Sequence, residues 1–525
     1  MRQKGICLLL AAIFLLLSAC APAQQEGQKT QPENGRVAAL RLAGGTDWGA
    51  PNPYLHAARG PGNAKKDLIF ASLLEMDEQG PVGWMAKSWQ QDGNVYTFTL
   101  REDAKFHDGE PLTAEDVAFT VEYYRKFPPV SNPLGAGDSF LIERCEAVGE
   151  HTVRMTVRQA DADTLMALGG FEILPEHIWR EVDDPMSYSE ADAFIGSGAY
   201  QFSAYNGADG SYEFIAFDDF CAGEPAAEKI QFVPVGDELL AFQNGEIDIA
   251  SMPGDLYGQY SNDPEIGMIA KENDMGYKLL INFEKYPEFL DIQLRQALYA
   301  ALDRQAVVDK VFRGLGTVGS AGYAPAGSIY YNPACVQYPY DPQAAKAAFA
   351  GMGLEVTLLA ANSGDDVKIA ELLKLDLEAA GIGVEVQAYD SAVRDGMVNA
   401  GEYGFALVGN GGWGGRAPAY LRTVFSDTAK NQGGGPHNMG PIGYSSPAIT
   451  ELAEAQQQET DFQKRVELFK QLQRQISEEI PLVVVATQTS YSIYRKAHYD
   501  GWMKTCDYQQ AEQNRLSYMN RGEAS

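Results

Sequence analysis

The chain has 525 residues, of which 45% are hydrophobic and 21% are charged. This is the composition of a globular protein, and the length is enough for two large lobes. The 71 acidic residues outnumber the 41 basic ones and give a formal net charge of −30. A negative field of this size argues against binding to nucleic acid and to anionic lipid headgroups.

The first twenty residues have the pattern of a secretory signal. Arg2 and Lys4 precede the apolar segment 6–17, and small residues then lead to Cys20. The apolar segment is shorter than the ~20 residues that a membrane-spanning helix needs. A cysteine at this place resembles the lipobox of bacterial lipoproteins, which implies cleavage before Cys20 and acylation of its thiol. An ordinary signal peptide with an incidental cysteine is the alternative.

Residues 21–36 are rich in Gln, Pro, Gly and Glu and contain no aromatic residue. Such a segment cannot bury enough apolar surface to offset the entropy cost of ordering. We therefore expect residues 1–19 to be the signal peptide and residues 20–36 to be a lipidated, flexible tether. The body would then lie outside the cytoplasm, anchored to the cell membrane by lipid, on the periplasmic face if the cell has two membranes.

The body begins with elements that alternate between strand and helix. The aromatic and polar alternation of residues 96–100 is typical of a half-buried strand. Thr113 can cap a helix whose first turn carries Glu115 and Asp116. The predicted elements are strand 37–42, helix 65–74, a hairpin near 77–80, strand 96–100, a helix from Thr113, strand 229–235, helix 238–244 and strand 247–251.

The second half continues the same alternation. Its predicted elements are strand 277–282, helix 294–312, strand 354–360, helix 367–380, strands 384–389 and 404–408, helices 448–459 and 461–479, and strand 481–487. Helices between apolar strands indicate an α/β body with mostly buried sheets.

Segment 84–124 contains several unusual motifs in a fixed order. They are Ala86-Lys87-Ser88-Trp89, Tyr96-Thr97-Phe98, Leu100-Arg101, Lys105-Phe106-His107-Asp108-Gly109 and Leu112-Thr113-Ala114-Glu115-Asp116-Val117. Further motifs follow at 195–200, 244–248, 294–304, 340–346 and 443–447. Together they resemble the family 5 extracellular solute-binding proteins, the peptide and nickel receptors of ABC importers.

This resemblance implies an α/β, two-lobed periplasmic-binding-protein-like fold, with an extra subdomain in lobe one and a hinge between the lobes. Lobe one would span 37–275, with 490–525 returning to it, and lobe two would span 276–489. The implied function is capture of a solute for an ABC permease by a monomer, with no enzymatic activity and no cofactor. A surface sensory lipoprotein is a further alternative. The sequence contains no nucleophile elbow, P-loop, HExxH or EF-hand motif.

The glycine-rich segment 409–420 is the predicted binding loop, because it follows a strand and α/β clefts bind ligands at strand ends. Trp413 would stack on the solute, and Asn410 and Tyr420 lie in the same segment. In peptide-binding relatives an aspartate three places after the tryptophan pairs with the peptide α-amine. Here that position is Arg416, which would repel an amine and favour a carboxylate, so the pairing with a free α-amine at this position is not expected. The predicted solute is a short peptide or a peptide-like acid.

A metal or metal–chelator complex is the alternative solute. Nickel-binding relatives carry a histidine beyond the same tryptophan, and His437 follows Trp413 here. Imidazole suits nickel, but one imidazole is too few ligands for a metal site, so His437 can equally be a surface-loop histidine.

The other polar and glycine motifs are interpreted as scaffold. His107 precedes Asp108-Gly109, which is a turn dipeptide rather than a sign of metal or acid–base chemistry. Arg295 and Arg304 are expected to cap or pair within lobe two, and Gly196 and Gly198 to serve backbone geometry. Four cysteines of the body allow three disulfide pairings, and the sequence selects none of them. They are Cys145, Cys221, Cys335 and Cys506.

Overall fold

The structure is a computed structural model that describes residues 35–57, 60–77, 80–326, 328, 330–362, 364–411, 417–427, 440–504 and 511–520. The predicted signal and tether, including Cys20, lie outside these residues. So do Trp413, Arg416, His437 and Cys506.

The first half of the chain forms twelve strands and six helices within the described residues. The strands are β1 (Leu40–Gly44), β2 (Leu74–Asp77), β3 (Gly80–Gly83), β4 (Ala86–Asp92), β5 (Val95–Leu100), β6 (Ile142–Gly149), β7 (Thr152–Val157), β8 (Tyr200–Asn206), β9 (Ser211–Ala216), β10 (Glu224–Pro225), β11 (Lys229–Pro234) and β12 (Ile249–Met252). The helices are α1 (Gly60–Ile69), α2 (Ala114–Lys126), α3 (Thr164–Gly169), α4 (Glu176–Trp179), α5 (Glu238–Asn244) and α6 (Tyr257–Tyr260).

The second half forms longer elements. Its strands are β13 (Ile266–Ile281), β14 (Gly316–Val318), β15 (Glu355–Ala361), β16 (Gly383–Tyr389), β17 (Phe405–Gly411), β18 (Val483–Arg495) and β19 (Met519–Asn520). Its helices are α7 (Ile292–Ala301), α8 (Arg304–Lys310), α9 (Pro342–Phe349), α10 (Gly364–Ala379), α11 (Ser391–Asn399), α12 (Ala417–Phe425), α13 (Pro447–Gln458) and α14 (Phe462–Glu479). Short 3₁₀ turns include Ala511–Gln513.

Three sheets organise these elements. Lobe one has a four-stranded sheet in the order β1-β11-β9-β8 and a second one in the order β4-β5-β7-β6, which forms the extra subdomain. The third sheet has the order β12-β18-β13-β17-β15-β16, with β14 paired to β18. Strand β15 runs parallel to both β16 and β17. This mixed α/β architecture confirms the predicted two-lobed fold.

The two lobes have separate hydrophobic cores within the described chain. The main core of lobe one combines residues from Leu40 to Ile269 with the C-terminal residues from Tyr494 to Met519. The cores of lobe two draw only on residues between Tyr277 and Ala486. Strands β13 and β18 contribute to both sides and therefore connect the lobes. This division is consistent with the predicted lobe limits, which stay a prediction.

Several local expectations from the sequence are confirmed. The Asp116 carboxylate accepts a hydrogen bond from the Thr113 backbone N–H at 2.8 Å, which completes the cap of α2. His107 lies in a turn and its Nε2–H donates to the Gly198 carbonyl at 3.0 Å. Gly109 in the same turn has φ = +94°, a conformation that favours glycine.

The arginines also have structural roles. The Arg295 guanidinium donates to the carbonyls of Phe289, Leu290 and Glu479. The Arg304 guanidinium donates to the carbonyls of Gly319, Tyr338 and Val484. Both therefore tie loops and strand ends together inside lobe two, as expected.

One predicted helix and two predicted strands differ from the structure. The prediction of a single helix over 294–312 is wrong, because the helix is interrupted at Leu302 and Asp303, between α7 and α8. The Asp303 carboxylate accepts from the Ala306 N–H and so starts a new helix. Predicted strands 277–282 and 481–487 are too short, since both continue across the junction between the lobes as β13 and β18.

Gly198 is needed for a close approach between α1 and the segment before β8. A Cβ atom there would lie 2.2 Å from the Leu68 carbonyl oxygen. We expect Gly198→Ala to lower the free energy of unfolding by about 1–3 kcal/mol, because a backbone oxygen cannot move aside without strain. Gly258→Ala is the matched control, since a Cβ there meets open space. Equal melting temperatures for both variants by calorimetry would contradict this explanation.

Candidate functional site

The crossing from lobe one to lobe two is irregular in strand β13. Its pairing with β18 shifts register between Lys271 and Met275. Asn273 in this bulge has φ = +55°, and its side-chain oxygen accepts from the Thr487 hydroxyl at 2.6 Å. Asp274 accepts from the Ser490 hydroxyl, also at 2.6 Å. Polar side chains therefore replace ladder hydrogen bonds where the two lobes join.

A cavity of about 170 Å³ lies in lobe one close to this crossing. Its walls come from the end of β1, the first turns of α1, strand β12 and the turn Ala511–Gln513. A single water molecule needs only about 10–15 Å³ of such space. The cavity can therefore hold a small organic group.

Lys65 lines the cavity and is almost completely buried, with 3% of its surface exposed. Its Nζ lies 3.9 Å from the centre of the Phe232 ring and donates to the Pro61 carbonyl at 3.3 Å. Burial lowers the pKa of Lys65 to about 7, and the neighbouring Glu512 opposes this shift. The Lys65 amine thus lies in an apolar, aromatic environment, where one hydrogen bond replaces those that it would make with water.

Glu512 lines the same cavity from the C-terminal turn. Within the described part of the chain, its buried Oε2 has no hydrogen-bond partner. Burial raises the pKa of Glu512 to about 7; Glu238 adds to the shift, whereas Lys271 and Lys65 oppose it. Unpaired buried carboxylate oxygens are costly, so this atom is a candidate acceptor for a bound group.

The predicted binding loop starts beside the same crossing. Gly411 ends β17 opposite Met275, and a Cβ atom on Gly411 would lie 3.4 Å from the Asp274 carbonyl oxygen. Asp274 in turn forms an ion pair with Lys271 at 2.6 Å. Lys271 also acts electrostatically on Glu512, which lines the cavity.

Asn410 and Tyr420 are brought together at the two ends of the loop. The Tyr420 hydroxyl donates to the Gly411 carbonyl at 2.7 Å, and the Asn410 side-chain amide donates to the same oxygen at 3.3 Å. The exposed fractions are 6% for Asn410 and 4% for Tyr420. Both side chains therefore bond to the last residue of β17, and their contact with a solute stays a prediction.

Sequence reasoning missed two buried lysines and the half-buried Glu512. Lys65 and Glu512 belong to no recognised motif, and Lys278 is the one cation within the apolar run 277–281. Lys278 is fully buried, and no described group accepts a hydrogen bond from its Nζ. Burial lowers the pKa of Lys278 to about 7, and Arg394 adds to the shift. A charged residue inside an apolar strand was the available signal for Lys278.

The lobes also meet at a polar clasp, which we define as Asp161 and Asp163 of lobe one with Gln457 and Arg465 of lobe two. The Gln457 amide donates to Asp161 at 3.1 Å and to Asp163 at 3.0 Å. The backbone carbonyl of Gln457 accepts from the Ala162 N–H at 2.9 Å. The Arg465 guanidinium lies 3.4 Å from the Asp163 carboxylate. The crossing strands and this clasp are therefore two places where described residues of the two lobes are in contact.

The described residues show neither a metal-binding cluster nor a disulfide bond. They contain no group of three or more His, Cys, Asp or Glu side chains arranged to hold a metal ion. Cys145, Cys221 and Cys335 are free thiols. None of the helices described here has the length and apolar character required to cross a bilayer.

The fold is that of a periplasmic-binding-protein-like class of molecule, with mixed α/β content in two lobes. The family model for bacterial extracellular solute-binding proteins, family 5 Middle, matches residues 80–432. The chain therefore belongs to this family of extracytoplasmic solute-binding proteins.

Individual relatives agree with this assignment. The chain is 28% identical to di/tripeptide-binding protein 1 of Pseudomonas aeruginosa, over 83% of this chain and 87% of the relative. The ABC transporter substrate-binding protein CtaP of Listeria monocytogenes has the same fold, with a TM-score of 0.76, 23% identity and coverage of 92% of this chain and 99% of CtaP. NikZ of Campylobacter jejuni, solved with Ni(L-His), has a TM-score of 0.64 at 21% identity, covering 88% of this chain and 94% of NikZ. The relatives are substrate-binding proteins and not enzymes.

The clasp provides a test of lobe closure. We expect Gln457→Glu to place a third carboxylate against Asp161 and Asp163, which repels lobe one and favours a more open arrangement. The radius of gyration from small-angle X-ray scattering should increase. Gln471→Glu is the matched control, because Gln471 lies exposed on the same helical layer. An unchanged radius for Gln457→Glu would show that the clasp does not hold the lobes.

Proposed function

We propose that this protein is a lipid-anchored receptor that captures a short peptide or a peptide-like acid between its lobes and delivers it to an ABC permease. The observation that carries the proposal is the architecture of the crossing. Two lobes with separate cores are joined by β13 and β18, and a cavity lies beside the join. A solute that contacts both lobes binds the closed state more tightly than the open one, and so shifts the population to closure.

The family supports a peptide-like solute, since the Pseudomonas aeruginosa relative is named for di- and tripeptides. The segment between β17 and α12 contains two side chains that suit such a solute. Trp413 offers a stacking face, and Arg416 offers a guanidinium for a carboxylate. Both residues are in the segment that starts at Gly411 beside the crossing, which is why we assign them to the solute.

A nickel or other metal–chelator complex is the second candidate. It is favoured by the likeness of the fold to NikZ, whose structure contains Ni(L-His). In this alternative His437 supplies an imidazole ligand and the chelator supplies the others. The two candidates differ in elemental composition of the bound solute.

Native mass spectrometry of the purified protein, combined with elemental analysis, tests the proposal. We expect a bound mass in the range of a short peptide and no stoichiometric nickel. Stoichiometric nickel would instead support the second candidate. A protein that carries no bound mass and binds no di- or tripeptide would contradict the peptide proposal.

Trp413 should contribute to affinity and not to folding. We expect Trp413→Ala to weaken binding of the identified solute by about tenfold or more, because stacking and burial of the indole are lost. Trp413→Phe keeps an aromatic face and should retain most of the affinity. Isothermal titration calorimetry measures both, and a large drop in melting temperature for Trp413→Ala would show that the indole is part of the core instead.

The lipid anchor is tested by Cys20→Ser. Without the thiol there is no site for acylation, and we expect the protein to leave the membrane fraction. Cell fractionation with metabolic labelling by a palmitate analogue measures this directly, and Cys221→Ser serves as the control. Continued membrane retention of Cys20→Ser would contradict the lipoprotein assignment.

A further inference from the structure

We propose that the lobe-one cavity binds an ammonium group of the solute, and that the Glu512 carboxylate is its acceptor. The class of ligand is a primary amine, such as the free α-amine of a peptide or an amino-acid side chain. This inference rests on the proposed function, because it assigns one part of the solute to one cavity of lobe one.

The charges that line the cavity favour a cation. Lys65 supplies one amine, whereas Glu238 and Glu512 supply two carboxyl groups. Glu238 is already engaged, since its Oε1 accepts from the Ser251 N–H at 2.6 Å. Oε2 of Glu512 is buried and has no described partner. A positively charged donor in the cavity would pair with this oxygen and relieve the repulsion between the two carboxyl groups.

Lys65 is positioned so that it does not already fill this role. Its ammonium lies over the Phe232 ring, 3.9 Å from the ring centre, and also 5.0 Å from the centre of the Tyr212 ring. Its hydrogen bond goes to the Pro61 carbonyl, one turn earlier in α1. Aromatic packing thus holds Lys65 away from Glu512 and leaves the cavity between them.

The cavity suits a primary amine in its other properties. The Phe232 and Trp48 rings both line it, and aromatic faces attract cations. Gly44 and Thr46, at and just after the end of β1, also line it and contribute polar atoms.

The charged groups around Glu512 also predict a pH dependence. Burial raises the pKa of Glu512 to about 7 and lowers the pKa of Lys65 to about 7. Both groups therefore lose protons as the pH rises through neutrality, and the cavity becomes more negative. The other charged groups that act on Glu512 are Glu238 and Lys271. The charge of Glu512 in turn helps to raise the pKa of the buried Tyr518 hydroxyl. Affinity for an ammonium group should rise from about pH 6 to about pH 7.5.

The experiment compares solutes that differ only at the amine. Binding of Ala-Ala, Ala-Phe and Lys-Ala to the complete chain is measured by calorimetry, together with N-acetyl-Ala-Ala, N-acetyl-Ala-Phe and Lys-Ala acetylated on both amines. We expect the best free-amine dipeptide to bind about tenfold or more tightly than its acetylated form, because a charge-assisted hydrogen bond is lost. We also expect Glu512→Gln to remove this preference.

Three variants make the result specific. Glu265→Gln changes an exposed carboxylate elsewhere in lobe one and should leave the preference intact. Lys65→Met removes the competing cation, so its affinity for the free amine should stay equal or increase. A purely structural role of the pair would instead lower the melting temperature of Glu512→Gln and Lys65→Met alike without changing the preference.

The outcomes separate this inference from the proposed function. Equal binding of free and acetylated peptides to the unmodified protein would overturn the inference and leave the peptide receptor standing. Retention of the amine preference by Glu512→Gln would do the same. If no peptide of either kind binds, both the inference and the peptide proposal are rejected.

Discussion

The pairing of β13 with β18 is the constraint on which the rest of the structure depends. These two strands carry the chain between lobes whose cores are otherwise separate. Their hydrogen-bonded ladder is interrupted at Lys271–Met275, where Asn273 and Asp274 bond to side chains of β18 instead. A connection of this kind keeps the two lobes in register while leaving a local irregularity that can absorb a change of angle.

Three ionisable side chains and the start of the predicted binding loop lie near that crossing. Lys65 and Glu512 lie on the lobe-one side, and Lys278 and the loop that begins at Gly411 lie on the lobe-two side. Each of the three charged groups has a pKa shifted toward neutrality by burial. Burying a charged group costs free energy. Groups with shifted pKa values therefore cluster at functional sites, where a bound solute can pair with them.

The motifs recognised in the sequence are mostly scaffold, as their contacts show. Arg295 and Arg304 bond to backbone carbonyls within lobe two, and Gly198 permits the approach to α1. Close packing tolerates few substitutes at such positions. The residues that line the cavity, Lys65 and Glu512, are 447 positions apart in number and share no local pattern.

The sequence by itself determined the fold class, most strands and helices and the family, because periodicity, caps and turn residues are local signals. It also predicts that Trp413 and Arg416 lie in a glycine-rich loop after a strand, and this prediction falls outside the described residues. Only the tertiary structure decided that residues 294–312 form two helices and that β13 and β18 extend across the junction. It also brought Glu512 to the end of β1. Such proximity arises from long-range packing, which leaves no trace in neighbouring residues.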